Sequence, residues 1–292
     1  MVQLYFKHLY ISMQEWQEEP FAPWKFKENV LLSVLSFFES KNLVDNFSLK
    51  EELDCKIFVD SGAFAATAMD YQLDPYEVAE MQAILKADLI VPLDLIVVEQ
   101  DSEDVAKRKV LETIKNTEIL LDLKPKGSEI VAPLQGLTED ILEFSYNKFK
   151  EMGLNKFALG GIVFQPQLEE NLKRIKITQD ITGNDSLHVF GKFLHPELLH
   201  YIIDLKVDSV DGYGYIVSSL KGLYIYNGKY LPVAKLEEEV IDSCNCNICK
   251  EFTLADFIKG SKESQLLLVQ HNIYALNSIA EQLQHDFDSK RR

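Results

Sequence analysis

Apolar residues in this chain fall into short unbroken runs, separated by longer stretches where they recur every three to four residues. The short runs predict strands over 4–12, 56–60, 88–92, 129–134, 156–159, 187–190 and 207–210. The longer stretches predict helices over 27–41, 75–87, 102–123, 139–153, 167–177 and 196–205. In the first of these helices the apolar positions are Val30, Leu31, Val34, Leu35 and Phe38. Residues 15–24 read as an acidic, proline-bearing loop. Strands alternating with helices imply a parallel α/β sheet. With at least six such units, no dinucleotide glycine fingerprint and no P-loop, a closed (β/α)8 barrel of the TIM type is favoured over a doubly wound sheet.

Polar residues and glycines cluster where these strands end. Asp60-Ser61-Gly62-Ala63-Phe64, Asp88, Gln135-Gly136, Gly160-Gly161, Gly191 and Asp211-Gly212 are all read at, or just after, the carboxyl ends of predicted strands. In a barrel that rim is where active sites are built. A single aspartate there is ordinarily a helix cap or a turn residue. Three of them, interleaved with glycines that let a flat ligand approach the backbone, point to a site.

Beyond residue 220 the pattern changes. Short aromatic runs flank Asn227-Gly228, a hairpin signal, and 236–242 is acidic. Then come Cys244, Cys246 and Cys249, spaced C-x-C-x-x-C, with His271 on a predicted amphipathic helix over 265–276. Three thiols and an imidazole form a tetrahedral zinc set, and four protein ligands leave no open position, so the expected zinc is structural. The competing reading is a disulfide pair, or idle cysteines beside a surface histidine.

Composition narrows the rest. The 292 residues suffice for one large domain or two smaller ones, and 47% hydrophobic with 26% charged residues is ordinary for a globular enzyme. The fourth cysteine, Cys55, sits alone in an apolar run, a usage that suits a reducing compartment. No signal-peptide pattern and no long apolar run is present, so a cytoplasmic protein without membrane association is expected. The net charge of −16 means that any nucleic-acid surface must be a local basic patch, with Lys250, Lys259 and Lys262 as candidates.

Taken in order, Asp60-Ser61-Gly62-Ala63-Phe64, Asp88 with Asp94, Leu134-Gln135-Gly136, Leu159-Gly160-Gly161, Phe190-Gly191, Val207-Asp208-Ser209-Val210-Asp211 and the Cys3His set followed by Asn272 resemble the tRNA-guanine transglycosylases. The resemblance runs from Asp60 to about Leu283. It implies a catalytic barrel over 1–235, with an inserted zinc-binding subdomain and closing helix over 236–292. It also implies exchange of guanine in a nucleic acid for a 7-deazaguanine base, through a covalent glycosyl-enzyme. On the matching positions Asp211 would be the nucleophile and Asp60 the second, proton-moving carboxylate. Asp88, Gln135, Gly160 and Gly161 would read the base edge, and Phe64 and Phe190 would stack on a flipped-out base.

Departures bear on the polymer. Ala63 replaces a glycine of the family, and Gly212-Tyr213-Gly214-Tyr215-Ile216 stands where bacterial tRNA enzymes carry a proline-threonine-arginine run. With the acidic charge, and no RNA-binding domain read after the zinc helix, these lean the expectation slightly to DNA over tRNA. The alternatives are a queuosine- or archaeosine-type tRNA enzyme, a non-catalytic partner subunit and, from another class, a barrel zinc hydrolase. A homodimer or a partner subunit is left open.

Overall fold

The computed structural model describes residues 1–8, 23–38, 54–69 and 71–290. Its main sheet is parallel throughout and follows chain order. The strands are Gln3–His8, Val30–Ser33, Ile57–Asp60 and Leu89–Ile90, then Glu129–Ile130 continuing as Ala132–Leu134, then Lys156–Leu159, Ser186–Val189 and Ser209–Gly212. The last pairs back onto the first, with Leu4 opposite Val210. Of the nine ladder segments, two are pieces of one strand interrupted at Val131, which leaves eight strands. Glu129–Ile130 pairs with the fourth strand and Ala132–Leu134 with the sixth. Val131 N–H donates to Ile90 O at 2.9 Å across the junction, so the ring closes.

The fold is therefore the expected (β/α)8 barrel, but its second strand lies where a helix is predicted. Residues 27–41 contain the strand Val30–Ser33, and only Leu35–Phe38 is helical. All four strand residues are buried. Leu31 packs in the lumen with Tyr5, Phe58, Val91, Val131 and Ala158, while Val30 and Leu32 pack outward with Phe37, Val78 and Met81. A strand covered on both faces needs no alternation of apolar and polar positions, and the same residues also satisfy a helical period. The expected strand positions 9–12, loop positions 15–22 and helix positions 39–41 lie outside the described residues.

Local signals fix the outer layer. Asp74 caps Pro75–Leu85 by accepting from Tyr76 N and Glu77 N, and Ser102 caps Glu103–Leu123. The predicted hairpin forms from Leu223–Tyr226 and Lys229–Pro232, with φ of 48° at Asn227 and 72° at Gly228. Two consecutive positive φ values are what a type I′ turn requires. The final helix, Lys262–Ser289, packs Val269, Ile273, Leu276 and Ala280 into the barrel's outer core. Its Leu267 and Leu268 face a separate small core around the cysteines. Among the described residues no helix is long and apolar enough to cross a membrane.

Because adjacent residues of the second strand are buried on opposite faces, Leu31→Ala and Leu32→Ala should each destabilise the protein by about 2–5 kcal/mol in denaturant melts. A helix with one exposed face would spare one of the two.

Candidate active site and metal-binding cluster

The carboxyl ends of the strands surround a pocket lined by Lys7, Asp60, Phe64, Asp94, Gln135, Gly160, Gly161, Phe190, Asp211 and Tyr213, among others. Asp211 sits in the eighth strand and is 1% exposed. Its Oδ1 accepts from Gly191 N–H at 2.9 Å and lies 3.2 Å from His188 Nε2. His188 Nδ1 is in turn 2.9 Å from Ser209 Oγ. An ionised carboxylate can only accept, so Nε2 carries the ring proton and Nδ1 accepts from the serine. The ring is wedged edge-on against Tyr5, Phe58 and Phe190, which fixes its plane.

Asp60 ends the third strand. Its Oδ1 accepts from Gly62 N–H at 2.8 Å, and its Oδ2 accepts from Lys7 Nζ at 2.8 Å. Gly62, at φ 76°, turns the chain from strand into the helix Ala63–Ala68, and a Cβ there would meet Leu35 Cγ at 2.6 Å. That turn is what leaves Asp60 at the mouth. Burial alone would lower the pKa of Lys7, but the carboxylates of Asp60 and Asp211 outweigh it and hold the ammonium above the ordinary lysine value.

Asp94 completes the set. Its Oδ1 accepts from Ser61 Oγ at 2.9 Å and its Oδ2 from Gln135 Nε2 at 2.5 Å. Burial pushes its carboxyl up to about 6, against the pull of these two hydrogen bonds. Gln135 Oε1 accepts from Val97 N–H at 3.4 Å, which fixes the amide's orientation. Gly160 lies so close that a Cβ would fall 2.3 Å from Gln135 Nε2. Buried Arg174 ties the two loops together by donating from Nη2 to Gly136 O and Gly160 O.

Asp88 does not belong to this group. The fourth strand is only Leu89–Ile90, so Asp88 precedes it at the amino-terminal end of the barrel. There its Oδ2 accepts from Ile57 N–H at 3.0 Å, and it lines a cavity with Gln3, Lys56, Glu129 and Asp208. Asp208 does the same before the eighth strand, accepting from Leu187 N–H at 2.8 Å. Both aspartates tie down the barrel floor. The expected rim position of Asp88 is corrected to the opposite end, because a strand's first residue and its last face different ends of the ring. The other predicted pocket residues do converge: Asp60, Asp211, Gln135, Gly160, Gly161, Phe64 and Phe190. Phe190 is packed against Phe58 and His188, while Phe64 is 39% exposed at the mouth.

Cys244, Cys246, Cys249 and His271 form a second cluster, their donor atoms all within 4.8 Å of one another, and these four could hold a metal ion. His271 Nδ1 lies 3.7, 3.6 and 3.5 Å from the three sulfurs. Tetrahedral coordination with ordinary zinc–sulfur and zinc–nitrogen bond lengths sets that spacing at about 3.6 Å. His271 Nε2 is 2.9 Å from Ile225 O, so Nε2–H donates to the backbone carbonyl and Nδ1 keeps its lone pair for a metal. Tyr224 stacks on the imidazole at 3.6 Å, and Asn272 pins the hairpin by accepting from Ile225 N–H and donating to Leu223 O.

The sequence model of the family described as queuine tRNA-ribosyltransferase, TGT, matches residues 45–291. The chain belongs to this family. Its curated relatives include the tRNA-guanine(15) transglycosylase of Methanococcus aeolicus, 24% identical over 76% of this chain and 35% of that protein. The tRNA-guanine(15) transglycosylase of Saccharolobus solfataricus is 28% identical over 75% of this chain and 46% of that protein. The one from Archaeoglobus fulgidus is 25% identical over 76% and 47%. The chain thus spans less than half the length of these relatives.

Sequence reasoning missed three residues that line this family member's pocket, and one that supports it from behind. Asp94 was noted only as Asp88's companion, Lys7 and Tyr213 were not read as site residues, and neither was His188, which holds Asp211. The signal for His188 was the alternation of His188 and Phe190, which puts both on the inward face of one strand.

If the cysteine cluster holds its ion as this geometry implies, purified protein should carry about one equivalent of a thiophilic metal per chain. Cys246→Ser should lose the metal and loosen the final helix, as read by metal analysis and proteolysis. Stoichiometric metal in that variant would place the ion elsewhere.

Proposed function

We propose that this chain is a guanine transglycosylase acting on tRNA, which exchanges a guanine base for a 7-deazaguanine through a covalent glycosyl-enzyme. The observation that carries this reading is one rim pocket holding Asp60, Asp94, Gln135 and Asp211 in a chain of the TGT family. Asp211 is the nucleophile. Gly191 N–H and His188 aim its carboxylate, which attacks the anomeric carbon as the glycosidic bond breaks. Asp60 moves the proton on the departing and incoming base. Phe64 and Phe190 flank the flat ring, and a base inside a folded RNA must be flipped out to reach them.

Base recognition passes from Asp88 to Asp94. An ionised Asp94 can accept from the amino and ring N–H groups of guanine, with the Gln135 amide and the Gly160 and Gly161 backbone completing the edge. The cysteine cluster holds zinc in a structural role, since its four protein donors leave no open position. The retained rim carboxylates support an active enzyme over a non-catalytic subunit. A zinc hydrolase would need an open metal position at the rim, which the cysteine cluster, lying apart from the pocket, does not supply.

The relatives' names move the polymer from DNA, the sequence-level lean, to tRNA, since each is named for guanine exchange in tRNA. Lys259, a candidate basic residue, is engaged with Asp256 at 2.7 Å and so contributes less to a basic patch.

Incubation with labelled guanine and either tRNA transcripts or duplex DNA should label tRNA. Asp211→Asn should abolish both incorporation and any adduct that survives denaturing electrophoresis. Label in DNA alone would overturn the polymer, and an adduct in Asp211→Asn would overturn the nucleophile.

Guanine binding measured by calorimetry should weaken as pH falls through about 6, because protonation of Asp94 removes the acceptor for the base's N–H groups. Asp94→Ala should weaken binding by roughly ten- to hundredfold, the cost of leaving buried donors unpaired. Asp88→Ala should bind guanine normally while losing about 1–3 kcal/mol of stability through the orphaned Ile57 N–H. The reverse pattern would restore Asp88 to the site.

A further inference from the structure

The pocket places two carboxylates of different surroundings around one cation. Lys7 lies near the carboxyl end of the first strand, whose neighbours are the second strand and the eighth, with Tyr5 paired to Asp211 in the ladder. Its Nζ reaches past the second strand to Asp60 Oδ2 at 2.8 Å, and both side chains are nearly buried, at 15% and 14% exposed. Its carbonyl accepts from Tyr215 O–H at 3.4 Å, anchoring this end of the strand. Asp211 accepts instead from a backbone N–H and an imidazole.

We propose that Lys7 is a positioning residue that divides the labour between the rim carboxylates: by pairing with Asp60 it leaves Asp211 as the carboxylate that attacks. The assignment rests on the transglycosylase reading above. The titratable groups facing the ammonium are Asp60, Asp211 and Tyr213, with His188 beyond Asp211 and Asp94 beyond Asp60. Direct contact neutralises Asp60 locally, whereas Asp211 feels Lys7 only through space and keeps a lone pair for the anomeric carbon.

The charge balance follows from this pairing. An Asp211 oxygen bonds to the anomeric carbon, the bond from that carbon to the guanine ring nitrogen breaks, and its electron pair leaves with the base. The proton that nitrogen takes up comes from the Asp60 carboxyl, and Lys7 keeps its own protons and pairs with the carboxylate that is left. The incoming base carries a proton on the equivalent nitrogen and returns it to Asp60 as it displaces Asp211. No other reactant is consumed. The cation also offsets the repulsion between two carboxylates sharing a low-dielectric pocket.

Steady-state exchange of labelled guanine into tRNA by wild type, Lys7→Met and Lys7→Arg tests this. Lys7→Met should lower kcat by roughly ten- to hundredfold, the worth of a charge-assisted contact, while leaving KM for guanine nearly unchanged. Lys7→Arg keeps the charge and should recover most of the loss. Thermal melts of all three report folding separately. Unchanged kcat in Lys7→Met overturns the proposal, as does equal inactivation of both variants in step with lowered melting temperature. A wild type that exchanges no guanine overturns the transglycosylase reading itself, and this assignment with it. The two failures are distinguished because the second is already present without any substitution.

Discussion

Closing eight short parallel strands into a ring buries both faces of every strand, so polar chemistry is confined to the two ends of the ring. The rim pocket and the barrel floor both follow from that confinement. The lumen holds Tyr5, Leu31, Phe58, Val91, Val131 and Ala158, with His188 among them linking Ser209 to Asp211. At the amino end, Asp88 and Asp208 spend their carboxylates on neighbouring backbone N–H groups and hold the floor together. At the carboxyl end, Asp60, Asp94 and Asp211 turn theirs toward a pocket. The same residue type does structural work at one end and faces a pocket at the other, and only its place along a strand decides which.

Three carboxylates in one buried mouth are costly to keep charged, and the structure meets each differently. Asp60 has a lysine, Asp211 a backbone N–H and a histidine, and Asp94 a serine and a glutamine. Burial raises the Asp94 carboxyl to about 6, against the pull of its neutral partners. In a chain of net charge −16, Lys7 pairs with Asp60 and Arg174 donates to the Gly136 and Gly160 carbonyls beside this pocket.

The cysteine cluster acts at a distance. It sits in its own small core with Tyr224, Phe257, Leu267 and Leu268, while the same final helix sends Val269, Ile273 and Leu276 into the barrel's outer layer. His271 and Asn272, adjacent in sequence, clasp the hairpin from opposite sides of one turn: the imidazole reaches Ile225 O and the amide reaches Leu223 O and Ile225 N–H. A metal bound there would fix the helix to the hairpin, and the helix to the barrel.

By itself the sequence determined the barrel class, the cysteine–histidine set, the hairpin turn and most of the pocket. These are local: strand and helix periods, ligand spacing, Asn-Gly, and polar residues at strand ends can each be read within a few positions. Three things were decided only by tertiary structure. Val30–Ser33 became a strand because burial on both faces, which no single segment can announce, erased the alternation that distinguishes strand from helix. Asp88 moved to the floor and Asp94 to the rim because a strand of two ladder residues leaves its ends ambiguous until its neighbours set the register. Lys7 joined Asp60 across 53 positions of chain because ring closure brings the ends of the first and third strands within a salt bridge's reach, a distance that sequence order does not encode.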